Sequence, residues 1–111
     1  MAWQNQFSVT NSNTDVTILD APPASTSRMI PAGGIVIANN DTATITATIK
    51  ILDNATPRIL YPSIEILAGA TWSNQKTVHC LAATTQSLQI VLAEAPTTQA
   101  DVSVTYRDEA Q

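Results

Sequence analysis

The strongest constraint on the fold is a strict alternation of polar and apolar residues between residues 42 and 51. The even positions hold Thr42, Thr44, Thr46, Thr48 and Lys50, and every odd position holds alanine or isoleucine. Successive side chains of a β-strand point to opposite faces, so one face of this segment is buried and the other presents a row of threonines. A helix would scatter both sets around its circumference, and β-branched residues favour strands. The segment is therefore predicted to be a strand with threonines on its exposed face.

Similar alternation, or a short apolar run, recurs along the rest of the chain. It is found at residues 16–19, 35–37, 63–67, 88–93 and 100–107, with weaker candidates at 3–9 and at 70–81, the last broken near Asn74. Turn-forming residues separate these runs, often at intervals of eight to twelve residues, which is typical of antiparallel sandwiches rather than βαβ units. Pro62 lies inside one run and is expected at a sheet edge or a bulge, because proline cannot donate to the strand ladder.

The sequence thus predicts an all-β fold, a single antiparallel β-sandwich of jelly-roll or immunoglobulin-like type with about eight strands. A length of 111 residues suits one domain and is too short for two ordinary ones. Residues 14–111 are assigned to the sandwich, and residues 1–13 to an N-terminal arm or first strand.

Few residues offer catalytic or metal-binding chemistry. His79 and Cys80 are the only histidine and cysteine. Neighbours on a regular strand point to opposite faces, so this pair cannot share a metal or act as nucleophile and base. The expected arrangement is a cysteine in the core with the histidine on the other face. The carboxylates cluster only at the C-terminal tail. We therefore expect no enzymatic activity, no cofactor and no metal site.

Charge and hydropathy exclude further classes of protein. Five Lys and Arg residues against nine Asp and Glu give a net charge of −4, and five scattered cations cannot form a basic patch for nucleic acid. No apolar run approaches the roughly 20 residues that span a bilayer. The N-terminus lacks the basic start and apolar run of a secretory signal. We expect no nucleic-acid partner, no membrane partner and synthesis in the cytoplasm.

The shortage of surface charge is the clearest indication of function. Charged residues make up 13% of the chain, about half the usual share. Monomeric sandwiches load their faces and edges with charge, whereas hydroxyl groups cost less to desolvate than Lys or Glu. We infer that part of this surface is covered by copies of the chain or by a larger assembly. The candidate interface residues are Trp3, Thr42, Thr44, Thr46, Thr48 and Trp72.

The two tryptophans have separate reasons for inclusion. Trp3 lies near the terminus, outside the best strand patterns, and is a candidate anchor into a neighbouring subunit. Trp72, together with Tyr61 or Tyr106, could instead form an exposed aromatic platform that binds a carbohydrate or a receptor. The competing interpretation places two or three of the aromatic side chains in the core and the rest at contacts.

The order of strands and turns resembles that of small β-sandwich structural proteins of tailed bacteriophages. The matching segments are residues 16–22, 27–30, 35–41, 64–72 and 87–94. They contain an Ala-Pro and Arg-x-Ile opening, an Ala-Asn to Asp-Thr turn, a turn that ends in Ala-Gly, and a Ser-Leu-x-x-x-Leu strand. The resemblance extends over residues 14–106 and departs from the family pattern at residues 78–81, where a plainer loop is expected.

The resemblance implies a virion structural protein without catalytic residues. Such proteins commonly serve as capsid decoration (cement) proteins, often as trimers on the outer shell, in contact with the major capsid protein or other virion proteins. The alternative roles are a tail, baseplate or head–tail accessory protein, or a carbohydrate- or receptor-binding module. The implied location is the virion, after synthesis in the host cytoplasm.

Overall fold

The computed structural model of the chain describes residues 2–10, 13–75, 78–94 and 99–110. These residues form ten strands in two antiparallel sheets, which confirms the predicted all-β sandwich class. The count exceeds the expected eight because the candidate at residues 70–81 divides into two short strands, and because the strand at Thr26–Ile30 was not predicted. Within the described ranges, no helix is long and apolar enough to cross a membrane. The strands are β1 (Gln4–Thr10), β2 (Val16–Leu19), β3 (Thr26–Ile30), β4 (Ile35–Asn39), β5 (Ile45–Asp53), β6 (Thr56–Ile66), β7 (Thr71–Ser73), β8 (His79–Leu81), β9 (Gln86–Leu92) and β10 (Ala100–Ala110).

The six-stranded sheet is organised around β10, its longest strand. The first part of β10 pairs with β1 and with β4, and its last part pairs with β3. β7 pairs with β4, and β8 pairs with β3. Between β3 and β4 the chain turns at Gly33, which has a φ of 77°, and at Gly34, where an added Cβ would lie 2.8 Å from the Pro31 ring. The Thr105 backbone N–H donates to the Gly34 carbonyl at 2.8 Å, which keeps this corner against β10.

The four-stranded sheet has the order β2-β9-β5-β6, so β6 lies at one edge. β5 and β6 form a hairpin whose turn residues Asn54 and Ala55 have φ values of 49° and 70°, as mirror-image hairpin turns require. The pairing register of β6 shifts twice between Ala47 and Lys50 of β5. Pro62 lies in this irregular stretch of the edge strand, which confirms its predicted position.

One apolar cluster fills the space between the sheets. Both sheets contribute alternate residues to it, and burying each large aliphatic side chain stabilises the fold by about 1.5–3 kcal/mol relative to exposure. The largest fully buried side chains are Ile18, Leu19, Ile30, Ile35, Ile37, Ile49, Leu81, Leu88, Ile90, Leu92, Val102 and Val104.

The predicted strand over residues 42–51 is partly wrong, because β5 begins only at Ile45. Two side chains shape the loop before β5. The Asn39 Oδ1 atom accepts a hydrogen bond from the Asp41 backbone N–H at 2.9 Å, and the Asp41 carboxylate accepts one from the Thr42 backbone N–H at 2.9 Å. Thr42 and Thr44 therefore lie in a loop. Only Thr46 and Thr48 belong to the strand, and both are half-buried.

Candidate protein-contact surface

The outer face of the six-stranded sheet is built by the alternation of its strands. In β10, Val102 and Val104 are buried against the other sheet, so the side chains of Asp101 and Ser103 point outward. Register pairs Phe7 of β1 with Ser103, which in turn pairs with Val36 of β4. Side chains from three adjacent strands therefore share one outward surface.

Three large apolar side chains follow β1 along this face. Trp3 is 50% exposed, Phe7 75% and Val9 51%. They are half of the six large apolar side chains that are exposed in the described part of the chain. Residues at even spacing along a strand project to one side, so Phe7 and Val9 share a side. Trp3 immediately precedes the strand, and its contact with Arg107 of β10 places it on the same face. We call this row, Trp3, Phe7 and Val9, the apolar stripe.

A shallow depression of about 500 Å³ lies beside the apolar stripe. It is lined by Phe7, Ser8, Val9, Val36, Ala38, Asp101, Val102 and Ser103. Asp101 is the one charged side chain in this lining, and its Oδ2 atom accepts a hydrogen bond from the Asn40 side chain at 2.9 Å. The surface is thus apolar, with small hydroxyl groups, over most of its area, which is the composition of protein interface centres.

Neighbouring side chains hold the Trp3 end of the stripe in place. The Arg107 guanidinium lies 4.8 Å from the centre of the Trp3 ring, and it donates to Glu109 at 2.6 Å. The Thr105 hydroxyl donates to the Asn5 side chain at 2.7 Å. Cation–π contacts of this kind contribute about 0.5–1 kcal/mol at exposed sites. An anchor held in this way loses less conformational entropy on binding.

The structure does not bring the six predicted interface residues together. Trp3 lies in the apolar stripe, Thr46 and Thr48 lie on the other sheet, and Trp72 packs against the core. Sequence reasoning missed Phe7 and Val9. The sequence did contain a signal: in the weak strand candidate at residues 3–9, Phe7 and Val9 lie at odd positions, on the same side as Trp3.

A second cluster joins the edges of the two sheets and consists of Tyr61, Trp72 and His79. The Tyr61 ring meets the Trp72 ring edge to face, with centres 5.1 Å apart, and the His79 ring at 5.4 Å. The Tyr61 hydroxyl and the His79 Nε2 atom are hydrogen-bonded at 2.7 Å. Because β6 supplies Tyr61 while β7 and β8 supply its partners, the cluster fastens one sheet to the other.

A depression of about 520 Å³ adjoins this cluster. Its lining includes Tyr61, Pro62, Ile64 and Trp72. The aromatic pair considered for carbohydrate binding is therefore Tyr61 with Trp72. Tyr106 is only 8% exposed and lies elsewhere, under the Arg28 guanidinium at 4.7 Å. The edge-to-face arrangement does not present two coplanar rings for a sugar to stack on.

The prediction that Cys80 lies in the core and His79 on the other face is wrong, because the two positions are reversed. The two side chains do lie on opposite faces, but His79 points inward to Tyr61 while Cys80 is exposed. β8 pairs with β3 so that His79 is opposite the buried Ile30. The hydrogen bond to Tyr61 satisfies the imidazole, which makes its inward position tolerable. In the described ranges, no three His, Cys, Asp or Glu side chains are grouped to hold a metal ion.

Burial lowers the pKa of His79 from its ordinary value near 6.5. The folded chain then binds fewer protons than the unfolded chain as the pH falls through 6.5 towards the folded pKa, so the free energy of unfolding should decrease over that interval. We expect this decrease in urea unfolding series at about pH 7.5 and pH 6. A His79→Gln variant should show a smaller decrease, and Cys80→Ser should behave like the wild type. Equal pH dependence in the wild type and His79→Gln would contradict the assignment.

Comparison with known proteins gives weak structural similarity. No protein-family model and no curated protein matches the chain. A chain in the solved structure "Cyanophage Pam1 capsid asymmetric unit" is similar to it, with a TM-score of 0.42 and 16% sequence identity over 94% of this chain and 83% of that chain. A similarity at this level does not establish a shared fold or a shared role.

Proposed function

We propose that the chain is a non-enzymatic structural protein of a virion, and that it serves as a capsid decoration protein on the exterior of a phage head. The observation that carries this proposal is the apolar stripe beside a depression whose lining contains one charged side chain, Asp101. Soluble monomers rarely leave such a patch uncovered, and exposed apolar patches mark contact sites. The resemblance of the strand and turn order to small phage structural proteins supports the same role.

In the proposed mechanism the protein stabilises the capsid shell by binding to it, without catalysing a reaction. Trp3, Phe7 and Val9 would insert against neighbouring capsid subunits, while backbone and hydroxyl groups at the rim form hydrogen bonds. A protein that binds only the assembled shell stabilises it by mass action. The net charge of −4 favours an outward position over one that faces packaged DNA, because phosphate would repel it.

The partners proposed are the major capsid protein, or other virion proteins, and further copies of this chain. The family resemblance implies a trimer. Residues of the candidate interface on the other sheet, Thr46 and Thr48, would then contribute a second, weaker contact area, since their hydroxyl groups desolvate at modest cost.

Particle composition tests the proposal. Purified virions are expected to contain the chain in numbers comparable to those of the major capsid protein, as quantified by mass spectrometry with labelled peptide standards. Mild heating should release it before the shell itself opens. A handful of copies per particle would favour a tail, baseplate or head–tail accessory role instead, and its absence from virions would overturn the proposal.

The depression beside Tyr61 and Trp72 supports a second candidate function, a carbohydrate- or receptor-binding module. Partly buried aromatic side chains with convergent polar groups are typical of small-ligand sites. A glycan array separates the two proposals. Binding that disappears in a Trp72→Ala variant supports the module, and an array without hits removes it.

A further inference from the structure

The edges of the two sheets differ in how well they are protected from pairing with another chain. β6 has two prolines, Arg58, Glu65 and a twice-shifted register. β2 spans four residues and contains a register shift, and β7 and β8 span three residues each. Short strands, prolines, charges and bulges are the means by which proteins block edge-to-edge association.

β1 has none of these protective features. It spans seven residues, contains no proline and no charged residue, and keeps an unbroken register with β10 from Gln4 to Thr10. Within the described ranges, β1 pairs only with β10 and makes no other backbone hydrogen bond. The side chain of Gln6 accepts from the Asp20 backbone N–H at 3.2 Å, so a side chain rather than backbone pairing links β1 to the second sheet at this point. The exposed part of the strand runs from Gln4 to Val9, and Thr10 is buried.

We propose that the free edge of β1 pairs in antiparallel orientation with β1 of a second copy of this chain. A twofold axis at Phe7 places Phe7 opposite Phe7 and Asn5 opposite Val9, and these residues lie in the exposed part of the strand. An axis between two residues would put outward side chains opposite inward ones, which a continuous sheet does not allow. The pairing joins both six-stranded sheets and buries part of the apolar stripe of each copy at the join.

Antiparallel pairing also lets the same edge serve in both copies. Asn5 of each copy lies opposite Val9 of the other and Phe7 lies on the axis, as a twofold interface requires. β1 has no charged side chain, so the pairing brings no like charges into the seam.

This inference goes beyond the proposed function and differs from the trimer implied by the family resemblance, because one free edge pairs with one other edge. It is also independent of where the chain is found. If the protein forms this dimer but is absent from virions, only the decoration role is contradicted. If it is present in virions but does not pair through β1, only this inference is contradicted.

Cysteine cross-linking tests the pairing. We expect Phe7→Cys in a Cys80→Ser background to form a disulfide-linked dimer under mild oxidation, because residues directly opposite in an antiparallel pair have Cα atoms about 4.5–5.5 Å apart, within reach of a disulfide. Val9→Cys in the same background is the matched control. Its two copies lie four residues apart along the strands, about 13 Å, and should not cross-link.

Light scattering on the wild-type protein completes the test. A dimeric mass together with cross-linking at position 7 alone is the expected result. A monomeric or trimeric mass would overturn the inference, and so would equal cross-linking at positions 7 and 9. Phe7 is 75% exposed, so its substitution should leave the fold intact, and thermal unfolding of each variant verifies this.

Discussion

Replacing Asn39 with alanine is expected to lower the free energy of unfolding by about 3 kcal/mol. Asn39 is only 2% exposed. Its side-chain nitrogen lies 2.9 Å from the carbonyl oxygens of Ala43 and Ile66 and 3.2 Å from that of Leu67, and its Oδ1 atom accepts from Asp41. Alanine would leave several buried backbone groups without a partner, which costs more than the hydrogen bonds themselves contribute.

The neighbouring Asn40 provides a matched control for this substitution. Its side chain also donates two hydrogen bonds, to the Gln99 carbonyl at 3.3 Å and to Asp101 at 2.9 Å, but both are exposed. Asn40→Ala should therefore change stability by no more than about 0.5 kcal/mol. Urea unfolding measures both variants. Similar losses for the two would show that the Asn39 network does not hold the loop between β4 and β5.

Replacing Phe7 and Val9 together with serine is expected to weaken attachment to the virion by at least about 30-fold, because a few apolar side chains carry most of the free energy of an interface. Both side chains are more than half exposed in the free chain, so the fold should be unaffected. The substitutions remove apolar area from the proposed contact without adding charge. The loss would then show that these two side chains contribute to attachment.

Two exposed apolar residues outside the stripe supply the control. Ile59 and Leu67 are 61% and 65% exposed, and neither lines the depression beside the apolar stripe. Replacing both with serine removes a similar amount of apolar surface from another part of the molecule. This control variant is expected to attach as the wild type does.

Local sequence pattern was sufficient to predict the fold class. The alternation in β5 and β10 is visible within ten residues, and the side chains that it assigns to the interior, such as Ile49 and Val102, are fully buried. The irregularity of β6 was also predictable, since a proline within a strand has few allowed positions. Strand alternation and the position of a proline are determined by residues close together in the sequence, so they can be predicted from it.

Features that depend on distant residues were predicted less well. The loop before β5 is set by Asn39, whose side chain bonds to Ile66, 27 residues away, and this contact overrides the alternating pattern at Thr42 and Thr44. His79 faces inward because Tyr61 offers it a hydrogen bond from the other sheet. Neither of these two contacts can be recognised from the residues next to Asn39 or His79 in the sequence.

The location of the contact surface also depends on residues that are distant in the sequence. The prediction that a nearly uncharged surface is covered was drawn from composition, and it placed that surface on the threonine row. The alternation of Phe7 and Val9 with Trp3 was visible in the sequence, but only the pairing of β1 with β10, at the opposite end of the sequence, shows that this side of the strand faces outward. Trp3 was recognised as an anchor from its position alone.

The decisive measurement is the copy number of the Phe7→Ser, Val9→Ser variant in assembled virions, determined beside the wild type and the Ile59→Ser, Leu67→Ser control. If the outward face of the six-stranded sheet is where this protein joins a particle, the first variant should be nearly absent from purified virions, and the control should be present at the wild-type level. Equal copy numbers for all three proteins would contradict that assignment.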